Sequence, residues 1–338
     1  MGALSLLLLV VVGGGGAILI IGYKLEQNVE FIGDPFSGLP SRPPAGGVAG
    51  GGKTAAPEAA NDPMNILVVG SDSRISAGDP TQWKVGAQRT DVIMLVHLPA
   101  DGSSAYLMSI PRDSWVDIPG HGQAKINAAF SYGGTPLLIQ TFEQVTGVRI
   151  DQVALTDFNS FKAITDALGG VEIALREDLV NKGQLVAPAG AQILTGDEAL
   201  IYVRQRKNLP RGDFDRVQRQ QAWMRSIFLR MRSQDTLRSP SRWGPVLDAT
   251  SHSVALDDGF TRSVQEQLIR RLAGLQAQDV RFFTVPIAGT GRSADGQSIV
   301  LLKRPQFDGL MGAVASDTLG PYLQAHPDDV DNLPRTAP

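Results

Sequence analysis

Three short apolar runs in the first third of the sequence limit the chain to folds built around a buried sheet. They are Asn65–Val69, Val92–Leu98 and Ala105–Ile110, and each has the length of a strand. Pro99-Ala-Asp-Gly102 between the last two is typical of a hairpin turn. Further along, strand-like and helix-like segments alternate. We therefore predict an α/β fold.

The remaining elements are predicted from apolar spacing and from start and stop signals. Thr195-Gly-Asp-Glu198 is a capping box, so a helix is expected to begin there. Further helices are predicted at Thr135–Thr146, Phe158–Leu168, from Asp213 onward and at Val264–Leu275, and further strands at Val153–Leu155, Val171–Leu175, Val280–Val285 and Ser298–Leu302.

The chain divides into four parts by composition. Ala3–Gly22 carries no charge and is long enough to cross a bilayer as a helix, so residues 1–31 are predicted to be a membrane anchor. A cleaved signal peptide is the alternative. Residues 32–63 are rich in Gly, Pro and Ala and are predicted to be a flexible linker, followed by a folded domain over 64–326 and a flexible tail over 327–338.

Composition excludes several classes of function. The 338 residues include no cysteine, which rules out disulfides, thiolate metal sites and a cysteine nucleophile and fits an exported protein. The net charge of -3 argues against a nucleic-acid-binding protein, whose domain is usually basic. The four histidines show no metal-ligand spacing.

Residues 47–54 match the phosphate-loop pattern G-x-x-x-x-G-K-[ST] letter for letter. That loop requires a buried strand before it and a helix after it. Here Pro43-Pro44 precedes the run and Pro57 follows it. We predict that this run binds no nucleotide.

A basic cluster lies between Ala199 and Gln221, where five arginines and a lysine surround two aspartates. Asp213, Arg216 and Gln220 fall on one face of the helix predicted there, opposite an apolar face. Guanidinium forks suit bidentate binding of phosphate oxygens. The alternative is a solvent-exposed basic helix paired with its own aspartates. The apolar face consists of Val217, Met224, Ile227, Phe228 and Met231.

Ionisable pairs also follow the predicted strands. They are Asp72/Arg74, Arg89/Asp91 and Arg112/Asp113. One such pair is easily explained as a contact that pins a loop, whereas three of them favour a site at the strand ends.

Together these residues form a set of motifs that resembles the LytR-CpsA-Psr family over roughly Pro63 to Leu310. The resemblance implies an α/β domain with a central mixed sheet flanked by helices and a long apolar pocket for a polyprenyl chain. The motifs are Gly70-Ser-Asp72-Ser-Arg74, Arg89-Thr-Asp91, Ser109-Ile-Pro-Arg112-Asp113, Lys125-Ile-Asn127, Tyr202-Val-Arg204-Gln-Arg206 and Asp213-x-x-Arg216-x-x-x-Gln220.

The resemblance also implies an activity: a Mg²⁺-dependent phosphotransferase at the cell membrane that moves a glycopolymer from a polyprenyl diphosphate carrier to peptidoglycan. It implies Asp72 and Asp91 as metal ligands. The diphosphate ligands it implies are Arg89, Arg112, Arg204, Arg206, Arg216 and Gln220, and the catalytic residues are Asp72, Asp91, Arg112, Arg206, Asp213 and Arg216. A lipid diphosphate hydrolase and a membrane-bound regulator of envelope genes are the alternatives. The loop Ile75–Gln88 departs from the pattern of the family by its length.

Overall fold

The computed structural model of the chain describes residues 30–44, 62–71, 90–205, 209–232 and 254–338. The helices are α1 (Ile126–Thr146), α2 (Phe158–Ala167), α3 (Gly196–Arg204), α4 (Asp213–Arg232), α5 (Arg262–Ala273), α6 (Arg304–Ala315) and α7 (Leu319–Ala325). The strands are β1 (Glu30–Phe31), β2 (Met64–Ser71), β3 (Thr90–Leu98), β4 (Ala105–Ile110), β5 (Trp115–Ile118), β6 (Gly122–Lys125), β7 (Gln152–Asp157), β8 (Val171–Leu175), β9 (Leu179–Asn181), β10 (Gln184–Ala187), β11 (Gly190–Leu194), β12 (Val254–Leu256), β13 (Val280–Thr284), β14 (Ile287–Arg292), β15 (Ser298–Leu302) and β16 (Asp331–Asn332).

An eight-stranded mixed sheet forms the centre of the fold, in the order β1-β12-β7-β2-β3-β4-β13-β16. β2, β3 and β4 are antiparallel neighbours, whereas β7 runs parallel to β2 and β13 parallel to β4. The predicted α/β fold with a central mixed sheet is therefore confirmed.

Helices cover both faces of the sheet because the central strands are apolar on both sides. Along β2, Ile66 and Val68 belong to one buried cluster and Leu67 and Val69 to the other. The first cluster packs against α2 to α5, and the second packs against α1, α6 and α7. The result is three layers, with helices on either side of one sheet.

Two helices show how local sequence sets their bounds. The predicted capping box begins α3, with the Thr195 side chain accepting from the Glu198 N–H and the Glu198 side chain accepting from the Thr195 N–H. Helix α1 begins nine residues before the predicted Thr135, at Ile126. Gly133 and Gly134 have non-helical dihedrals, and φ of Gly134 is 64°, so a kink separates a short first arm from the predicted helix.

The first part of the predicted flexible linker, residues 32–44, is instead packed against the domain. β1 ends at Phe31 and runs parallel to β12, and the next N–H, that of Ile32, donates to the Leu256 carbonyl at 2.9 Å. Phe36 packs against the second core cluster. Arg42 donates to the buried carboxylate of Glu143, with Nη2 2.7 Å from Oε1. Apolar residues and one arginine thus anchor this segment despite its Gly- and Pro-rich composition.

The predicted flexible tail also differs from expectation, since residues 327–338 run along the folded domain. β16 pairs with β13 at the sheet edge. Ala337 is 1% exposed, and Arg219 Nε donates to the backbone oxygen of Pro338 at 2.5 Å. The polar composition predicted a segment exposed to solvent, but its backbone carbonyls accept hydrogen bonds from Arg219 and Arg225 of α4.

Within the described ranges, no helix has the length and apolar character needed to cross a membrane. The predicted span Ala3–Gly22 and the phosphate-loop-like run at 47–54 lie outside these ranges.

Candidate active site

The predicted strand-end residues share one edge of the sheet because β2, β3 and β4 alternate in direction. The end of β2 at Ser71, the start of β3 at Thr90 and the end of β4 at Ile110 meet there. Asp91 and Arg112 therefore come together at this edge. The sequence also predicts Asp72, Arg74 and Arg89 at strand ends, and these three residues lie outside the described residues.

A β-bulge sets the position of Asp91. Gly70 pairs with Val92 and Ser71 pairs with Thr90, so Asp91 is the extra residue on β3. A bulge bends the strand and redirects the side chain of the extra residue. Asp91 is 9% exposed, so its carboxylate is held in a largely enclosed site.

Arg112 joins three carboxylates at this edge. Its Nη1 donates a hydrogen bond to Oδ1 of Asp91. Its Nε lies 3.9 Å from a carboxylate oxygen of Asp113 and 3.9 Å from one of Asp213. Asp213 is the first residue of α4, so Arg112 connects the sheet to the start of that helix.

Arg216 occupies the same cluster from α4. Its Nη2 lies 2.7 Å from Oδ1 of Asp213, and its Nη1 lies 3.7 Å from Oδ1 of Asp91. The Arg216 side chain is 3% exposed. All residues from Asp215 to Gln221 are buried. The alternative of a solvent-exposed basic helix is therefore wrong for this part of α4.

Several buried polar groups in this region lack a hydrogen-bond partner among the described residues, and two donors among them point to a ligand. They are Nε of Arg112 and Nε2 of Gln220. Gln220 is 2% exposed and follows Arg216 by one helical turn, so both side chains leave α4 on the same face. A buried donor without a partner is costly in a native protein. An anionic ligand at this edge would accept from both.

Neighbouring polar residues on α4 connect this helix to β4 and to the end of α3, and sequence reasoning missed them. Nε2 of Gln221 donates to Oγ of Ser109 on β4 at 2.8 Å. Nη1 of Arg219 donates to Oε1 of Gln205 at 2.7 Å, and burial lowers the pKa of Arg219. The only sequence signal was their place in the predicted helix, which does not indicate their partners on β4 and at the end of α3.

Of the other three predicted diphosphate ligands, Arg89, Arg204 and Arg206, the structure describes Arg204. Arg204 is exposed on the last turn of α3. Arg206 lies outside the described residues.

The structure describes one of the two predicted metal ligands. Within the described ranges, no group of three or more His, Asp or Glu side chains is arranged to hold a metal ion. Asp91 alone of the two predicted ligands is described, and its carboxylate oxygens have the chemistry that Mg²⁺ prefers. The carboxylate of Asp91 is therefore a suitable ligand for Mg²⁺, and the metal site stays a prediction.

Comparison with known proteins identifies the family. A model described as the LytR_cpsA_psr family matches residues 48–314. The chain is 34% identical over 283 residues to the Corynebacterium glutamicum cell wall biosynthesis protein LcpA, a match that covers 72% of this chain and 54% of LcpA. It is 33% identical over 183 residues to the Bacillus subtilis polyisoprenyl-teichoic acid–peptidoglycan teichoic acid transferase TagT, which covers 52% of this chain and 55% of TagT. The chain thus spans about half the length of these curated relatives.

Solved structures show the same fold. TagT bound to LI-WTA superposes with a TM-score of 0.60 at 26% identity, covering 77% of this chain and 92% of TagT. Bacillus subtilis TagV gives a TM-score of 0.62 at 24% identity, covering 76% of this chain and 98% of TagV. Fold, motifs and family match agree, and the chain belongs to the LytR-CpsA-Psr family.

Proposed function

We propose that this protein is a Mg²⁺-dependent phosphotransferase that attaches a glycopolymer from a polyprenyl diphosphate carrier to peptidoglycan and releases polyprenyl phosphate. The observation that carries the proposal is the pair of buried donors, Arg112 Nε and Gln220 Nε2, which lack acceptors among the described residues beside the Arg112–Arg216 cluster. Relatives named as polyisoprenyl-teichoic acid–peptidoglycan transferases support the substrate class.

The cluster suits a diphosphate because it combines fixed cations with carboxylates that position them. Arg112 and Arg216 are both held by Asp213 and Asp91, so their donors are oriented before a ligand binds. Phosphoryl transfer needs mainly positioning and stabilisation of charge. A guanidinium already fixed in place loses little freedom when it binds phosphate oxygens.

At the phosphorus atom, the reaction forms one bond and breaks one. A hydroxyl oxygen of peptidoglycan attacks the glycan-side phosphorus, the bond from that phosphorus to the bridging oxygen breaks, and polyprenyl phosphate leaves with that oxygen. The hydroxyl proton is released, and a phosphodiester joins the glycan to peptidoglycan. Mg²⁺, bound through Asp91 and Asp72, would neutralise phosphate charge.

The protein is proposed to act at the outer face of the cytoplasmic membrane, held there by the predicted anchor over residues 1–31. Its relatives are named as cell wall biosynthesis proteins, which supports a place in the envelope. The apolar pocket for the polyprenyl chain is part of the same proposal.

Product analysis tests the function directly. The full chain is supplied with a polyprenyl diphosphate-linked glycan and Mg²⁺, with and without peptidoglycan, and lipid and glycan products are measured. A transferase links glycan to peptidoglycan and releases polyprenyl phosphate only when the acceptor is present. Equal release without acceptor, with free glycan phosphate, would instead establish the lipid diphosphate hydrolase.

The metal is tested with the same assay. Chelation of divalent ions should abolish transfer, and added Mg²⁺ should restore it. Asp91→Asn should remove most activity, whereas Asp308→Asn, on the exposed surface of α6, should not. Full activity of wild type and Asp91→Asn in chelator would contradict a metal role.

A further inference from the structure

The turn that leads into α4 is held by a carboxylate of that helix. Asp215 is buried, and its Oδ2 accepts from the backbone N–H of Arg211 at 2.8 Å. Nε of the same arginine donates to Oδ1 of Asp215 at 2.7 Å. Gly212 follows with φ of 56°, a conformation that glycine adopts readily, and its carbonyl accepts from the Arg216 N–H at 3.2 Å. The backbone of this turn therefore determines where Asp213 begins the helix.

A second carboxylate, from β16, holds the other end of the Arg211 guanidinium. Nη1 of Arg211 donates to Oδ2 of Asp331 at 3.0 Å. The other oxygen of Asp331, Oδ1, accepts from Nε2 of Gln218 on α4 at 3.0 Å. Gln218 is buried. Asp331 thus binds both the turn before α4 and the helix itself.

The sheet gives Asp331 a fixed position. Asp331 pairs with Thr284 where β16 runs antiparallel to β13. The Leu333 N–H donates to the Phe282 carbonyl at 2.9 Å, which continues the pairing. On either side of β16, Val330 is buried in the second core cluster and Leu333 packs against the first. The Asp331 carboxylate is therefore a point on the edge of the sheet from which the start of α4 is held.

The start of α4 affects the arginine cluster through Asp213. Oδ1 of Asp213 lies 2.7 Å from Nη2 of Arg216, and its Oδ2 lies 3.9 Å from Nε of Arg112. Asp213 is two residues beyond Arg211, so a shift of the turn moves a carboxylate that orients both cluster arginines. A misplacement of about 1 Å at a reacting centre can lower the rate of an enzyme by about 100-fold.

The contact between Asp331 and Arg211 contributes little to the stability of the fold. The Arg211 side chain is 46% exposed and the Asp331 side chain 34% exposed. Solvent screens an ion pair of this exposure, and such pairs stabilise proteins only slightly. The two carboxylates nevertheless hold one guanidinium at three of its polar positions, counting the Arg211 backbone N–H, and this arrangement suits the fixing of a position.

We propose that Asp331 and Arg211 are positioning residues for the transfer reaction, which hold the turn before α4 so that Asp213 orients Arg112 and Arg216. Both act through Asp213 and not on the substrate. The inference rests on the proposed function and deepens it, because it adds to the arginine cluster a pair of residues that set its geometry from the far edge of the sheet.

Kinetics with a matched control tests the positioning role. Asp331→Asn removes the charge beside Arg211 and keeps an oxygen that can accept from Gln218. It should lower kcat about 10-fold and leave KM for the carrier substrate close to wild type, because the groups that contact the substrate remain. The melting temperature should stay close to that of wild type, since the ion pair is partly exposed.

Asn332→Ala is the control on the same strand. The Asn332 side chain accepts from Arg281 of β13 at 3.4 Å, so its loss leaves the turn before α4 untouched and should leave kcat unchanged. Equal kcat in Asp331→Asn and Asn332→Ala overturns the proposal. A loss of kcat in Asp331→Asn that comes with a large fall in melting temperature also overturns it, because the role is then structural.

A double variant tests whether Asp331 acts through Arg211. Arg211→Ala should itself lower kcat, and the addition of Asp331→Asn should lower kcat by no more than about 2-fold further, because the two residues form one contact. Losses that multiply would show that Asp331 acts by another route and would overturn the proposal.

Amide hydrogen exchange separates the positioning role from the chemistry. In the full chain, the N–H groups of Arg211 and Arg216 should exchange about 3-fold or more faster in Asp331→Asn, while N–H groups in the middle of α4 keep wild-type rates. This result supports the positioning role even if wild type transfers nothing, in which case only the proposed function fails. Unchanged exchange at both N–H groups overturns the positioning role even if transfer is observed.

Discussion

Nη2 of Arg216 lies 2.7 Å from Oδ1 of Asp213, three residues earlier on α4, and the same guanidinium lies 3.7 Å from Asp91 on β3. One arginine thus couples the first turn of a helix to the edge of the sheet. Because the Arg216 side chain is 3% exposed, solvent screens these contacts far less than it screens a surface ion pair.

Arg216→Lys should leave the protein folded and reduce transfer by about 100-fold or more, because lysine keeps the charge but loses the fork of donors. Release of polyprenyl phosphate at saturating substrate and Mg²⁺ measures the effect. Arg262→Lys, in an exposed pair with Glu266, is the matched control and should be as active as wild type. Turnover of Arg216→Lys close to that of the control would show that Arg216 has no role in the reaction.

Gln220→Met should lower transfer about 10-fold while the free energy of unfolding stays the same or rises by up to about 1 kcal/mol. The reason is that the variant removes a buried donor that lacks an acceptor among the described residues. Gln221→Met is the adjacent control. It removes a hydrogen bond to Ser109 and should lose about 1 kcal/mol of stability. Urea unfolding measures both, and a clear loss of stability in Gln220→Met would argue against a ligand-binding role for this side chain.

Arg42→Ala should destabilise the protein by about 2 to 3 kcal/mol, because it leaves the carboxylate of Glu143, 2% exposed, without its cation. Thermal or urea unfolding of the full chain measures the loss. Arg304→Ala breaks an ion pair whose two side chains are each more than half exposed and should change stability by at most about 1 kcal/mol. Equal stability of the two variants would mean that the Arg42–Glu143 contact does not anchor residues 32–44 to the fold.

Stability should also depend on pH through Asp257. Burial raises the pKa of this carboxyl to about 7. The hydrogen bonds that it accepts from the N–H groups of Val153 and Gly259 lower the pKa but do not outweigh burial. The protonated form is therefore favoured in the folded state. Its contribution to the free energy of unfolding is complete below the unfolded pKa of about 4 and is lost as pH rises through about 7.

The check is the free energy of unfolding of wild type relative to Asp257→Asn between pH 5 and pH 9. We expect wild type to lose stability relative to the variant as pH rises. A difference that stays constant over this range would contradict the raised pKa.

Sequence reasoning was correct wherever a local signal sets the structure. The capping box at Thr195 begins α3, and the strands at Val92 and Ala105 form where apolar runs predicted them. The motifs identify Asp91, Arg112, Asp213 and Arg216 as site residues, and the structure brings these four side chains together. Several short elements were missed, among them β5, β6, β12 and α7, because segments of three to seven residues carry too little periodicity to detect.

The sequence by itself determined the alternation of strands and helices and the types of residue at the strand ends, because both depend on neighbours within a few positions. Only the tertiary structure decided which strand ends meet, since that depends on pairing between distant segments. It also decided that residues 32–44 and 327–338 pack against the domain, through Arg42 with Glu143 and Arg219 with Pro338. Such contacts join residues about a hundred positions apart, and composition within either segment contains no information about the partner.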